Sequence, residues 1–332
     1  MAPQKRVETA IQTRADDAVA GDGAARGLPP QRSRAQARAA VRPALTTGTP
    51  PLWARTTYDL LGETAQLLGR HRFAVSDAVA AITCTLRPAR VEACARRHRR
   101  ADPGLSPSQA RARARASYRE YFRTVLDLIW AHGLELKSVA RNHPIDGWEN
   151  IEAARNQHGA GIFGLAHFGN WDMAATMALS RGLRMTTVMR EFHPELVNQV
   201  IVWTRERRGL QLFIPGNAAR GLLQALRRGR FVALLVDIPE GGATVEVRFR
   251  GGPVLFSTGP AALSRHSGCP LLPVACVREP SRYRIIVDSP VHPGSIAAMT
   301  QELADRLEAL TARAPEQWYP FNQVWTDEPS ER

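Results

Sequence analysis

Short apolar runs alternate with helical segments between residues 161 and 277, and this alternation restricts the possible folds more than any other feature of the chain. The apolar runs predict buried strands at 161–166, 184–189, 211–214, 231–236 and 271–277. Helical periodicity predicts helices at 172–181, 194–208, 217–228 and 258–267. Strands separated by helices are typical of parallel sheets with helices on their faces. The sequence therefore predicts an α/β fold with a mixed, largely parallel sheet flanked by helices.

The N-terminal part of the chain differs in composition from the rest. Residues 1–50 lack aromatic side chains and are rich in Ala, Gly, Pro and Arg, which predicts a disordered basic segment before a single domain at 51–328. Apolar residues then recur at helical spacing from Tyr58 to Ile82, with a basic turn at Arg70–Arg72. This pattern predicts two amphipathic N-terminal helices, which either pack on the core or contact a membrane surface.

A longer helix is predicted to begin after Ser106. Ser106 is a favourable N-cap and Pro107 suits the first helical position, so the helix should run from there to Ala131 or His132. Its first half belongs to an arginine-rich stretch, which is predicted to form a solvated face. Its predicted apolar face consists of Tyr118, Tyr121, Phe122, Val125, Leu126 and Ile129.

The net charge of the chain indicates which classes of partner it can bind. The formal net charge is +13, and only Lys5 and Lys137 are lysines, so the excess is carried by arginine. Nucleic acid, an anionic membrane surface, and acidic or phosphorylated substrates all fit such a charge.

The four cysteines show no C-x-x-C spacing, which predicts reduced thiols in an intracellular protein and no zinc site. The sequence contains no run of about 18 apolar residues, so it predicts no transmembrane helix.

His167 lies where the predicted strand 161–166 opens toward the following helix, and Asp172 lies in or near the first turn of that helix. A carboxylate there can accept a hydrogen bond from one imidazole nitrogen and leave the other as a general base. The alternative for an isolated H-x4-D pattern is a core histidine near a helix cap. The sequence around these residues favours the catalytic interpretation.

Five spaced elements resemble the bacterial lipid A biosynthesis acyltransferase family, which belongs to the glycerolipid acyltransferase group. They are the H-x4-D element 167–172, the R-x-x-x-G element 205–209, the aspartate–glycine block 237–252, the T-G-P-A helix start 258–261 and the P-E-Q-W segment 315–318. The resemblance covers about 55–325. It implies a single glycerolipid-acyltransferase-like domain that moves a fatty acyl chain from acyl-CoA or acyl carrier protein to a glycolipid hydroxyl.

The resemblance also implies roles for individual residues. His167 would be the base and Asp172 would orient it. Arg205 would stabilise an anion or the oxyanion, and Glu246 would hold Arg205 or bind acceptor sugar hydroxyls. The remaining candidate substrate-binding residues are Asp237 (alternatively a cap), Arg190 near the donor phosphates, and Asn170. No metal and no cofactor are expected beyond the thioester co-substrate.

Two details resemble the branch that acylates phosphatidylinositol mannosides: Asp172 in place of glutamate, and Val245–Val247 before Phe249. Pro239 and Arg250 depart from the usual D-x-D and Phe-Phe-Gly patterns, so a lipid A-like acceptor stays open. The expected enzyme is peripheral, on an anionic membrane surface at the cytoplasmic face of the cell membrane, with no nucleic acid partner. The alternatives are a basic nucleic-acid-binding protein, suggested only by the arginine excess, and a catalytically inactive lipid-binding relative.

Overall fold

A seven-stranded sheet forms the centre of the fold. The computed structural model describes residues 48–214, 218–239 and 241–328, so the predicted disorder of 1–50 lies almost wholly outside the described residues. The sheet order is β1-β9-β8-β2-β5-β3-β4, and β6 and β7 form a separate hairpin. The strands are β1 Ile145–Asp146, β2 Ile162–Leu165, β3 Met185–Val188, β4 Gln211–Phe213, β5 Phe231–Leu235, β6 Thr244–Phe249, β7 Gly252–Ser257, β8 Leu271–Arg278 and β9 Tyr283–Val287.

Most of the sheet is parallel. Strands β8, β2, β5, β3 and β4 pair in parallel, whereas β9 runs antiparallel to β8 and β1 runs parallel to β9. Helices pack against both faces. The predicted α/β fold with a mixed, largely parallel sheet is therefore confirmed.

The helices fall into an N-terminal group and a group that alternates with the strands. They are α1 Leu52–Leu67, α2 Phe73–Leu86, α3 Pro88–Ala101, α4 Pro107–His132, α5 Leu136–Asn142, α6 Trp148–His158, α7 Trp171–Ser180, α8 Glu195–Arg207, α9 Ala218–Arg227, α10 Gly259–Ser267 and α11 Ile296–Thr311. A 3₁₀ turn, Gly69–Arg72, joins α1 to α2, and we call these three elements the N-terminal hairpin. Within the described ranges, none of the helices combines the length and the apolar character needed to cross a membrane.

Alternate side chains of β2 enter two different cores, as the pleat of a strand requires. Ile162 belongs to a cluster shared with α11 and the β6–β7 hairpin, while Phe163 and Leu165 belong to a cluster shared with α6, α7 and α8. Gly164 faces Leu303 of α11 so closely that a Cβ would lie 2.8 Å from its methyl groups. Both faces of β2 are thus fully covered, which explains why its sequence is a continuous apolar run.

Local sequence patterns predicted most of the strands and helices between residues 161 and 277. The five predicted strands and four predicted helices are all present, with ends shifted by at most two residues. Helix α4 begins with a capping box, because the Ser106 hydroxyl accepts from the Gln109 N–H and the Gln109 side chain accepts from the Ser106 N–H. Strands β1, β6, β7 and β9 and helices α3, α5 and α11 were not predicted.

Helix α4 differs from its prediction in the face that it buries. Tyr118 is buried as predicted, but Val125 is 46% exposed, and the polar residues Glu120, Thr124 and Asp127 are buried instead. The reason is that α4 packs against α1, α2 and α3 and also approaches the 315–317 turn and α7. Its polar stripe therefore faces the interior, where other polar groups meet it.

Candidate active site

The carboxyl ends of β2 and β5 bring His167 and Asp237 together. The two strands are adjacent and parallel, with Leu165 opposite Leu235, and Val236 N–H donates to Leu165 O at 2.9 Å. Two residues beyond this register, His167 and Asp237 leave the sheet at the same level. Ligands of open α/β sheets bind at this edge.

Asp237 contacts His167 through both backbone and side chain. The His167 backbone N–H donates to the two carboxylate oxygens at 3.1 and 2.9 Å, and His167 Nδ1 lies 2.9 Å from Asp237 Oδ1. The Asp237 side chain is 9% exposed, whereas that of His167 is 27% exposed. A buried carboxylate with three such contacts fixes the ring orientation of a histidine that solvent can reach. The prediction that Asp172 orients His167 therefore differs from the structure, which gives the Nδ1 contact to Asp237.

Asp172 instead forms a bidentate ion pair with Arg205 of α8. Arg205 Nε donates to Oδ1 at 2.8 Å and Nη2 donates to Oδ2 at 3.0 Å, with both side chains less than one fifth exposed. This fork geometry is the strongest form of a carboxylate–guanidinium pair. Because Asp172 lies in the first turn of α7, the pair ties this turn to α8.

Glu246 was expected to hold Arg205 or to bind an acceptor, and the first of these roles belongs to Asp172. Glu246 is exposed on β6, and its Oε2 accepts from the Thr326 hydroxyl at 2.9 Å. Arg190 follows β3 at the same edge of the sheet, exposed, with its guanidinium 5.7 Å from the Phe192 ring centre. Both residues are exposed to solvent.

The turn between His167 and α7 is held by backbone contacts. Gly169 has φ +60°, and a Cβ at this position would lie 1.9 Å from the carbonyl oxygen of Cys276. Its N–H donates to Gln317 O at 2.9 Å, and its carbonyl accepts from the Tyr319 hydroxyl at 3.1 Å. Only glycine fits such a turn. The P-E-Q-W segment noted in the sequence thus supports the turn that follows His167.

Asn170, a predicted substrate-binding residue, faces the interior instead. It is 1% exposed, and its Oδ1 accepts from the Met173 N–H at 2.8 Å as the N-cap of α7. Its Nδ2 donates to the Tyr283 hydroxyl at 3.1 Å. Both ends of the amide are therefore used inside the protein.

A second arginine, Arg208 at the C-terminal end of α8, also contacts α7. Arg208 donates to the Thr176 hydroxyl at 3.0 Å, and burial lowers the pKa of its guanidinium to about 10. Arg208 and Arg205 line a cavity of about 30 Å³ with Asp172. Arg208 lies within the R-x-x-x-G element, but that pattern does not specify its third variable position, so no role was predicted for Arg208.

The described ranges contain no group of three or more His, Cys, Asp or Glu side chains placed to hold a metal ion. The arrangement supplies a histidine with a fixed ring, an adjacent ion pair and exposed arginine at one edge of the sheet. Such a group of residues can take a proton from a hydroxyl and neutralise an anion close by.

Comparison with known proteins identifies the family. Residues 103–327 match the family described as bacterial lipid A biosynthesis acyltransferase. Among curated proteins, a phosphatidylinositol mannoside acyltransferase of Mycobacterium tuberculosis is 30% identical over 237 residues, which cover 69% of this chain and 74% of the relative. A protein of the same name from Mycolicibacterium smegmatis is 29% identical over 220 residues, covering 63% and 70% of the two chains. This chain therefore belongs to the bacterial lipid A biosynthesis acyltransferase family and is an enzyme that transfers acyl groups.

Proposed function

We propose that this enzyme transfers a fatty acyl chain from acyl-CoA or acyl carrier protein to a hydroxyl of a phosphatidylinositol mannoside, with His167 as general base and Asp237 as the residue that orients it. The observation that carries the proposal is the 2.9 Å contact between His167 Nδ1 and Asp237 Oδ1. The names of the relatives support the acceptor class.

The contact determines which nitrogen is basic. With Asp237 accepting at Nδ1, the neutral imidazole carries its proton there and its basic lone pair on Nε2. Nε2 then takes the hydroxyl proton while the acceptor oxygen bonds to the thioester carbonyl carbon. When the tetrahedral intermediate collapses, the C–S bond breaks and the imidazolium returns the proton to the leaving thiolate. The acceptor hydroxyl is the nucleophile, so no acyl-enzyme forms.

Arg205 and Arg190 are the proposed anion-binding groups. Arg205 uses Nε and Nη2 for Asp172 and approaches the Met189 sulfur through Nη1 at 3.3 Å, which leaves guanidinium N–H groups for a substrate anion. Arg190, exposed after β3, is the proposed contact for the donor phosphates. Glu246 would accept from sugar hydroxyls of the acceptor, since a carboxylate suits such donors.

The acceptor assignment predicts the product. Palmitoyl-CoA and a phosphatidylinositol mannoside should give a lipid one acyl chain heavier, measured by mass spectrometry. Glu246→Ala should reduce this acylation more than it reduces slow hydrolysis of palmitoyl-CoA, because hydrolysis needs no sugar acceptor. Efficient acylation of a lipid A precursor without acylation of the mannoside would contradict the acceptor assignment.

A membrane-facing surface is proposed for the N-terminal hairpin. In the described part of the chain, all but four of the exposed large apolar side chains lie between Leu52 and Leu86, and Leu67 is 90% exposed. Arg70 and His71 lie at the turn between the two helices. Apolar side chains beside basic residues are typical of helices that lie in the interface of an anionic membrane. We place the enzyme there peripherally, on the cytoplasmic face where its thioester donors occur.

This surface predicts binding that depends on lipid charge and on Leu67. The protein should sediment with vesicles of phosphatidylcholine and phosphatidylglycerol at low salt and dissociate toward 1 M salt, where the screening length falls to about 3 Å. Leu67→Asp should weaken sedimentation, whereas Val197→Asp, at an apolar position 43% exposed on α8, should not. Equal sedimentation of both variants and wild type would contradict the assignment of the surface.

A further inference from the structure

The turn between His167 and α7, residues 167–170, is here called the catalytic turn. A carboxylate with no assigned role is connected to it. Asp127 of α4 is fully buried, and its Oδ1 accepts from Arg72 Nε at 2.9 Å. Its Oδ2 accepts from Arg278 and from the Tyr283 hydroxyl. A buried carboxylate is tolerated when opposite charges and hydrogen bonds surround it, and here two guanidinium groups and one hydroxyl do so.

The Tyr283 hydroxyl connects Asp127 to the N-cap of α7. It accepts from Asn170 Nδ2 at 3.1 Å and donates its own proton to Asp127. Burial raises the pKa of Tyr283 well above its usual value, so the hydroxyl keeps the proton that it donates. The donor and acceptor of each hydrogen bond from Asn170 through Tyr283 to Asp127 are thereby set. Asn170 presents Oδ1 to the Met173 N–H, so it can offer only Nδ2 to the tyrosine.

Asn170 lies between the turn that carries His167 and the first turn of α7. On its N-terminal side, Gly169 leads back to His167. On its C-terminal side, Trp171 packs edge-on against the His167 ring with centroids 5.2 Å apart, and Asp172 binds Arg205. A displacement of the Asn170 amide would therefore be transmitted to the turn, the indole and the ion pair. Displacements of about 1 Å at a catalytic group can reduce rates strongly.

We propose that Asp127 and Tyr283 are positioning residues of this enzyme, which act through Asn170 to hold the His167 turn and the first turn of α7 in place. Arg72 extends the same chain of contacts to the N-terminal hairpin, since it lies in the 3₁₀ turn between α1 and α2. The inference rests on the proposed role of His167 as base. It adds to that role a buried connection between the catalytic turn and the hairpin.

Tyr283→Phe tests the connection with the least disturbance, because it keeps the ring and removes only the hydroxyl. We expect kcat for acyl transfer and for palmitoyl-CoA hydrolysis to fall by the same factor, about tenfold, while KM for palmitoyl-CoA changes less than twofold. Tyr118→Phe is the matched control, because Tyr118 is a buried α4 tyrosine that stacks on Phe321 away from the chain of contacts. It should leave kcat unchanged. A lower melting temperature with unchanged kcat in Tyr283→Phe would reduce the hydroxyl to a structural role and overturn the proposal.

Asn170→Ser supplies the second half of a double-mutant cycle. Serine keeps a cap acceptor for α7 but removes the Nδ2 donor. If the two residues act in one chain, the double variant should lose no more kcat than the more damaging single variant. Losses that multiply would show that they act independently, against the proposal.

An NMR measurement on the enzyme without substrate tests this proposal separately from the assignment of the reaction. The side-chain ¹⁵N resonances of His167, followed by NMR across its titration, should shift in Tyr283→Phe and Asn170→Ser and stay in place in Tyr118→Phe. Such shifts support the connection even if the mannoside proves not to be the acceptor. Unchanged His167 resonances in both variants would overturn it even if the reaction is as proposed.

Discussion

Replacing His167 with alanine is expected to reduce acyl transfer by at least about 10²–10⁴-fold, the usual contribution of a general base. The side chain is 27% exposed and its ring contacts are at the surface edge of the sheet, so folding should survive. Steady-state rates with palmitoyl-CoA measure the loss, and circular dichroism with a thermal melt checks the fold.

His292→Ala provides the matched control for this substitution. His292 also contacts a carboxylate, Glu302, through Nδ1 at 2.8 Å, but its side chain is 80% exposed and lies far along the chain from the catalytic turn. Its removal should leave the rate unchanged. Normal turnover by a folded His167→Ala protein would contradict the general-base mechanism.

The sequence located the histidine because local signals were sufficient there. The apolar run before His167 predicted β2, and the helical pattern after it predicted α7. The placement of both His167 and Asp237 at strand ends also followed from local patterns. A strand or helix of this kind can be predicted because its apolar pattern is contained within a short stretch of sequence.

The partner of His167 could not be chosen from the sequence. Asp172 is five residues away and Asp237 is seventy residues away, so linear spacing favoured the first. The choice depends on the β2–β5 register, in which Leu165 pairs with Leu235, and on which way α7 turns its first residues. Register and helix rotation are tertiary properties, and short spacing carries no information about either.

The buried polar residues were missed for a related reason. Asp127 sits within a helix whose apolar residues suggested another buried face, and Tyr283 begins a strand that was not predicted. A buried aspartate and an exposed one have the same sequence signature. Only the packing of α4 against the end of β8 and the start of β9 reveals that Asp127, Arg278 and Tyr283 meet.

Asp237→Asn is expected to lower kcat by about 10²–10⁴-fold while His167 stays in position. The asparagine Oδ1 can still accept from the His167 backbone N–H, which in the native protein donates to the carboxylate at 2.9 Å. Its Nδ2 would then face Nδ1 of the imidazole and donate to it. That contact stabilises the tautomer with the proton on Nε2, which removes the basic lone pair from the nitrogen assigned to the acceptor hydroxyl.

Asp172→Asn separates this mechanism from the one suggested by the H-x4-D spacing. It weakens the bidentate pair with Arg205, whose bonds are 2.8 and 3.0 Å, but leaves the Asp237–His167 contact intact. Its loss of kcat should therefore be smaller than that of Asp237→Asn when both variants are assayed under identical conditions. The reverse order would return the orienting role to Asp172. The reason is that the carboxylate that fixes the tautomer should lose more kcat on replacement by an amide than a carboxylate that only holds a neighbouring arginine.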